Sequence, residues 1–165
     1  VNLSANQLRQ RNIVDIIRKA IQDNQLQPHQ LELEITETSF MENLSEAVET
    51  LRDLREFGVR CAVDDFGTGY SSLSYLKQLP IDKIKIDRQF ILDLESGDND
   101  TSIVCAIIQL GRSLKLGVIA EGVETEEQKN YLLANGCTEA QGYFYSKPLT
   151  TDEFRKFYHR HKPAA

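Results

Sequence analysis

Two adjacent aspartates, Asp64 and Asp65, stand directly before Phe66-Gly67-Thr68-Gly69. Further polar residues recur along the chain: Asn2, Glu34 and Glu37, Lys85 and Asp87, Glu121 and Glu124, and Gln141. Carboxylates brought together repel one another, so either some hold protons or divalent cations neutralise them. Ligands that are all oxygen favour Mg2+ or Mn2+. Adjacent aspartates can serve two metal ions about 4 Å apart, the arrangement that activates water and steadies the leaving oxygen in phosphodiester hydrolysis. Lys85 then has a task beside them, orienting the attacking water or offsetting developing phosphate charge.

This chemistry requires elements that bring the residues to one place. Leu31 to Thr36 alternates apolar and acidic side chains with period two, between Pro28 and the polar Glu37-Thr38-Ser39, and is expected to be a strand. Val59 to Val63, Ile81 to Ile86, Gly117 to Ala120 and Glu139 to Phe144 are the next candidates, with Val1-Asn2-Leu3 as the stub of an earlier strand. Between them run helical stripes: Leu8, Ile13, Ile16, Ile17, Ala20 and Ile21; Ala47, Val48, Leu51, Leu54 and Phe57; Ile103, Val104, Ile107, Leu110 and Leu114. Asn43 with Glu46 opens the second helix and Gly58 follows its end, while Thr125 with Gln128 opens another that stops near Asn135-Gly136. A last helix is expected from about Thr151 to His159.

Strands that recur with helices between them are most simply parallel. An open doubly wound sheet would be expected to carry a glycine-rich phosphate turn after a strand, and neither G-x-G-x-x-G nor G-x-x-x-x-G-K-[ST] occurs. The expectation is therefore an α/β barrel. Its strand C-termini share one rim, and the polar residues above all fall at or near strand ends. Each of them also has a plainer explanation. Glu32 and Glu34 could be the solvent face of an edge strand, Asp64-Asp65 an ordinary turn, Lys85 with Asp87 a surface ion pair, and Glu121 to Glu124 an acidic helix start. Independent surface turns would not make every strand end this way.

The 165 residues, 41% of them hydrophobic, suffice for one globular domain and argue against disorder. A formal charge of -6 disfavours binding duplex nucleic acid through a basic face. No apolar run approaches a membrane span, and Cys61, Cys105 and Cys137 are far apart with no C-x-x-C pair, as expected of reduced thiols in a cytoplasmic protein. His29, His159 and His161 fall outside the rim pattern.

The segments VNLSANQL, LELEITET, VDDFGTGYSSLSYLKQLPIDKIKID, VIAEGVET and AQGYFYSKPL resemble the EAL family of cyclic di-GMP phosphodiesterases, and the resemblance runs the length of the chain. It implies a modified (β/α)8 TIM-like barrel that hydrolyses cyclic di-GMP to linear pGpG, using two ions of Mg2+ or Mn2+. Carried over, it implies that Asn2, Glu34 and Asp64 hold one ion, and that Asp64, Asp65 and Glu121 hold the second. Lys85 would assist the hydrolytic water, with Gln141 and Asp87 in support. Glu37 and Glu124 would hold the loop from Asp65 to Ser72, which includes Phe66, Gly67, Thr68 and Gly69. The implied partners are a second copy of the chain and an upstream sensory or GGDEF-type domain. The domain is expected in the cytoplasm, with any membrane anchor of the parent protein outside these segments.

The tripeptide that names the family does not occur. The strand that would carry it is expected before Val1, so residues 1–165 are expected to be a partial domain of about six βα units, with one metal ligand absent and activity impaired. A non-catalytic cyclic di-GMP receptor and a dimerisation or regulatory module are the alternative readings.

Overall fold

The computed structural model describes residues 1–41, 43–69, 73–92, 94 and 100–161. Five strands, β1 (Glu32–Thr36), β2 (Arg60–Phe66), β3 (Lys83–Ile86), β4 (Gly117–Glu121) and β5 (Glu139–Gln141), form one sheet in the order β1-β2-β3-β4-β5, every neighbouring pair parallel. Strand order equal to chain order means that each crossover steps the same way across the sheet. A doubly wound sheet reverses direction at a switch point; a sheet that never reverses is a sector of a βα barrel. The expected stub survives as a parallel bridge between Asn2 and Glu34 on the outer side of β1.

The alternation in β1 sorts its side chains. Leu33 and Ile35 are buried beneath helices, while Glu32, Glu34 and Thr36 are half-buried on the opposite, inner face. The other strands add Cys61, Val63, Ile84, Ile86 and Ala120 to the buried outer layer. Helix α1 (Ala5–Leu8) and helix α2 (Ile13–Asp23) follow the stub, and α3 (Glu37–Met41) and α4 (Leu44–Phe57) lie between β1 and β2. Next come α5 (Leu73–Leu76), α6 (Arg88–Leu92), α7 (Asp100–Leu114), α8 (Glu126–Ala134) and α9 (Thr151–His161). Helix α4 packs on β2, and α7 packs on β3 and β4. Leu51 and Leu54 of α4 and Val104 and Ile108 of α7 are almost fully buried there, as is Leu132 of α8, and burial of each such side chain contributes roughly 2 kcal/mol.

Several expectations shift in detail. The first stripe is two helices, with Ile13, Ile17 and Ile21 of α2 buried and Ile16 at 47% exposure, because a single face of one helix cannot hold both Ile16 and Ile17 equally. Ile103 likewise lies on the solvent side of α7. Strand β5 ends at Gln141 rather than Phe144. Val123 donates its N–H to Gln141 O and accepts from Phe144 N, at 3.0 and 2.9 Å, so the backbone crosses over itself there. A Cβ on Gly142 would lie 2.2 Å from Val123 O, so the crossing requires glycine.

Candidate active site

The decisive local feature is a break in the β2–β3 register. Val63 pairs with Ile84, but the next pair is Phe66 with Ile86, so Asp64 and Asp65 together stand opposite Lys85 alone. In a regular strand these adjacent aspartates would point to opposite faces. The bulge, with Asp65 at φ 53°, lets both carboxylates reach the rim. Their ligand oxygens and one from Glu121 all lie within 4.8 Å of one another.

Lys85 projects from β3 into this group and is 4% exposed. Its Nζ lies 3.0 Å from Glu34 Oε1, 3.0 Å from Asp64 Oδ1 and 2.6 Å from Glu121 Oε1. An ammonium carries three N–H donors, and here three carboxylates surround it. Burial works to lower its pKa, yet the hydrogen bonds to Glu121, Asp64 and Glu34 hold it well above the ordinary lysine range. Gln141 at the end of β5 donates from Nε2 to the same Glu121 Oε1 at 2.7 Å, fixing the carboxylate's orientation.

One ammonium does not neutralise the rim. Burial raises the pKa of Glu121 against the opposing pull of Lys85. Burial also raises that of Asp65, with added repulsion from Asp64 and a hydrogen bond to Asp87. Oxygen donors alone, half-buried, close together and carrying excess negative charge, suit hard divalent cations.

The remaining expected residues lie around this centre. The Asn2–Glu34 bridge, with Leu3 N donating to Glu34 O at 2.8 Å, sets Asn2 beside Glu34. Glu37, at the start of α3 and 2% exposed, accepts from Gly67 N at 3.3 Å through Oε2. Its Oε1 would lie 2.6 Å from a Cβ on Gly69, so the loop backbone passes close over a buried carboxylate. Thr68 Oγ1 donates to Asp65 O at 2.8 Å, closing the turn, and Phe66 is buried in the core beneath it. Tyr70 to Ser72, the rest of the expected loop, fall outside the described residues. Asp87 accepts from Gln89 N at 2.7 Å as α6 begins, and Glu124 pairs with Arg88 at 2.6 Å.

Besides Lys85, two further cations stand near the rim that no motif in the sequence points to. Arg88 lines a cleft of about 490 Å³ together with Glu121, Gln141, Tyr143, Lys147, Phe154 and Phe157. The available signal was the basic residue directly after Asp87. Lys83 also went unremarked, although it stands two residues before Lys85 and therefore on the same face of β3.

Comparison with known proteins agrees with this geometry. The EAL domain family matches residues 1–148. The chain is 43% identical over 157 residues to the signaling protein YkoW of Bacillus subtilis, and 44% identical over 157 residues to the cyclic di-GMP phosphodiesterase NbdA of Pseudomonas aeruginosa. In both it covers 95% of this chain and 20% of the relative. The chain thus spans about a fifth of the length of these curated relatives. Among solved structures, PaMucR phosphodiesterase in complex with c-di-GMP superposes with a TM-score of 0.90 at 44% identity, over 93% of this chain and 62% of that one. A manganese and cyclic di-GMP complex of Klebsiella pneumoniae BlrP1 superposes with a TM-score of 0.83 at 33% identity, over 90% of this chain and 38% of that one. With a match across most of its length, on the fold and with the acidic rim just described, the chain belongs to the EAL domain family.

Proposed function

We propose that this chain carries the catalytic rim of a divalent-metal-dependent phosphodiesterase that opens one ester bond of cyclic di-GMP to give linear pGpG. The observation that carries the reading is the convergence of Asp64, Asp65 and Glu121 around the β2 bulge, with Lys85 in their midst. Relatives named for this activity, and neighbours solved with cyclic di-GMP and with manganese or calcium, support it.

In this reading Asn2, Glu34 and Asp64 hold one Mg2+ or Mn2+, and Asp64, Asp65 and Glu121 hold the other. When bound, such ions supply charge neutralisation, Lewis acidity and a more acidic water. The protein supplies the arrangement. Lys85, as an ammonium, donates hydrogen bonds and offsets the charge that develops on the phosphoryl oxygens. Gln141 keeps Glu121 in place, and Asp87 supports Asp65. The cleft beside the rim offers aromatic walls at Tyr143, Phe154 and Phe157 for a base, with Arg88 and Lys147 for an anionic ligand.

A second copy of the chain is the proposed partner. An apolar groove of about 500 Å³ between Phe66, Gly67 and the exposed side of α7, including Ile103, supports a contact there. In the whole protein a sensory or GGDEF-type domain is a further proposed partner, since one relative is named a bifunctional diguanylate cyclase and phosphodiesterase.

The test is product formation by the whole protein with Mg2+ or Mn2+, followed by separation of cyclic and linear dinucleotides. Linear product is expected from the wild type and none above background from Glu34→Ala or Asp64→Ala. Absence of linear product at micromolar enzyme defeats the proposal, and tight nucleotide binding without hydrolysis identifies a receptor instead.

A further inference from the structure

Beneath the carboxylate rim lies a second ionic group that the proposed reaction does not use. Lys83 precedes Lys85 by two residues on β3, so its side chain leaves the same inner face about 7 Å deeper along the strand. Its Nζ lies 2.6 Å from Glu139 Oε2 on β5 and 3.4 Å from Glu32 Oε2 on β1. Each partner sits two residues before a rim residue of its own strand: Glu32 before Glu34, and Glu139 before Gln141.

The neighbouring strands leave room for this reach. In register with Lys83 stand Ala62 on β2 and Gly117 on β4. A Cβ on Gly117 would already lie 3.0 Å from Lys83 Cγ, so the lysine stem lies directly against the glycine. With small residues on both sides, one side chain on the central strand contacts the two outermost strands at once.

We propose that Lys83 is a positioning residue, which fixes the spacing of Glu34, Glu121 and Gln141 by tying β1 to β5 beneath them. The proposal rests on the phosphodiesterase reading of the rim. Strands β1 and β5 share no ladder with each other, so the distance from Glu34 to Gln141 depends on how strongly the sheet curves. Lys85 links β1, β2 and β4 at the rim, reaching β5 only through the Gln141–Glu121 hydrogen bond, and a metal ion would compete for its three carboxylates. The deeper bridge touches none of those carboxylates and holds the curvature whether or not metal is bound. A displacement of the order of 1 Å at reacting groups is enough to cost a large factor in rate, about 100-fold in unfavourable cases.

The experiment compares wild type with Lys83→Met, Lys83→Arg and Glu139→Gln in the whole protein, measuring kcat, KM for cyclic di-GMP, Mn2+ affinity by titration calorimetry, and Tm. Lys83→Met is expected to lower kcat roughly 5- to 50-fold and weaken Mn2+ binding roughly 3- to 10-fold, with KM moved less than about 2-fold. Glu139→Gln, at a half-exposed position that tolerates the change, is expected to show the same pattern more weakly, and Lys83→Arg to restore most of kcat. A packing role alone would lower Tm while leaving kcat per folded molecule intact, and that result overturns the proposal. So does a wild type that hydrolyses cyclic di-GMP with Lys83→Met equal to it in kcat and Mn2+ affinity. A wild type that neither binds Mn2+ nor turns over defeats the phosphodiesterase reading itself and this inference with it.

Discussion

Lys85 is the residue on which the rim's electrostatics turn. Its side chain is 5% exposed and its partners Glu34, Asp64 and Glu121 only partly solvated, so removing the ammonium leaves carboxylates facing one another with little water between them. Breaking a buried ionic group from one side costs about 3 kcal/mol, although protonation of one acid will soften the loss. Lys85→Met is therefore expected to melt several degrees below wild type in EDTA and to recover more than wild type does on adding Mn2+, because the ion replaces the missing charge. Equal melting temperatures in EDTA would show that the three carboxylates do not depend on Lys85. The rim was legible because the strand-end rule puts Glu34, Asp64, Lys85, Glu121 and Gln141 at one place once the strands are parallel. The layer beneath it was not. Glu32, Lys83 and Glu139 look like ordinary surface charges until the curvature of the sheet brings β1 and β5 within reach of one lysine.

Among the elements, period-two alternation and cap chemistry located the strands and most helix ends, since those signals are local. Gly58, at φ 100°, closes α4 and Thr125 with Gln128 forms a reciprocal capping box at α8, whereas Asn43 precedes α4 with its side chain donating to Glu46 rather than capping the backbone. The bulge at Asp64-Asp65 could not be foreseen, because it is defined by the pairing of β2 with β3, and no local pattern distinguishes it from a turn. Helix α9 offers a test of the cap reasoning. Thr150 N donates to Glu153 Oε2 at 2.9 Å and Thr150 Oγ1 donates to it at 2.7 Å, and these bonds hold the Glu153 pKa below the usual glutamate range. A depressed folded-state pKa gives stability that is present above the ordinary glutamate value of about 4.3 and lost as pH falls below it through the folded value. Protection of the first-turn amides of α9, corrected for the intrinsic pH dependence of exchange, is expected to fall over that window, and this fall should disappear in Glu153→Gln. An unchanged profile in the variant would mean that the carboxylate does not cap the helix.

Taken whole, the molecule is a curved sheet with α4 and α7 packed on the outer face and an ionic lining on the inner one. No described helix is long and apolar enough to cross a membrane. Its apolar surface is unevenly spread. Helix α9 has no buried residue, and Phe154 and Tyr158 are 57% and 50% exposed, near Tyr143 at 55% on the chain leaving β5. The outer edge of β5 has no ladder partner among the described residues. Three residues make a weak pairing edge, and the acidic Glu139 within it discourages strand addition. The aromatic surface of α9 is then the stronger driver of association, since each large ring withdrawn from water contributes roughly 1.5–3 kcal/mol. The chain of 165 residues expressed by itself is expected to run above its 18.8 kDa monomer mass in light scattering at tens of micromolar and to dissociate on dilution. Phe154→Glu with Tyr158→Glu should shift it towards monomer without lowering Tm, because neither side chain is part of the core. A variant that associates as strongly as wild type would move the cause to the β5 edge or to the α7 groove. A wild-type chain that stays monomeric and melts cooperatively would show that the sheet sector and its ionic lining are stable without any cover.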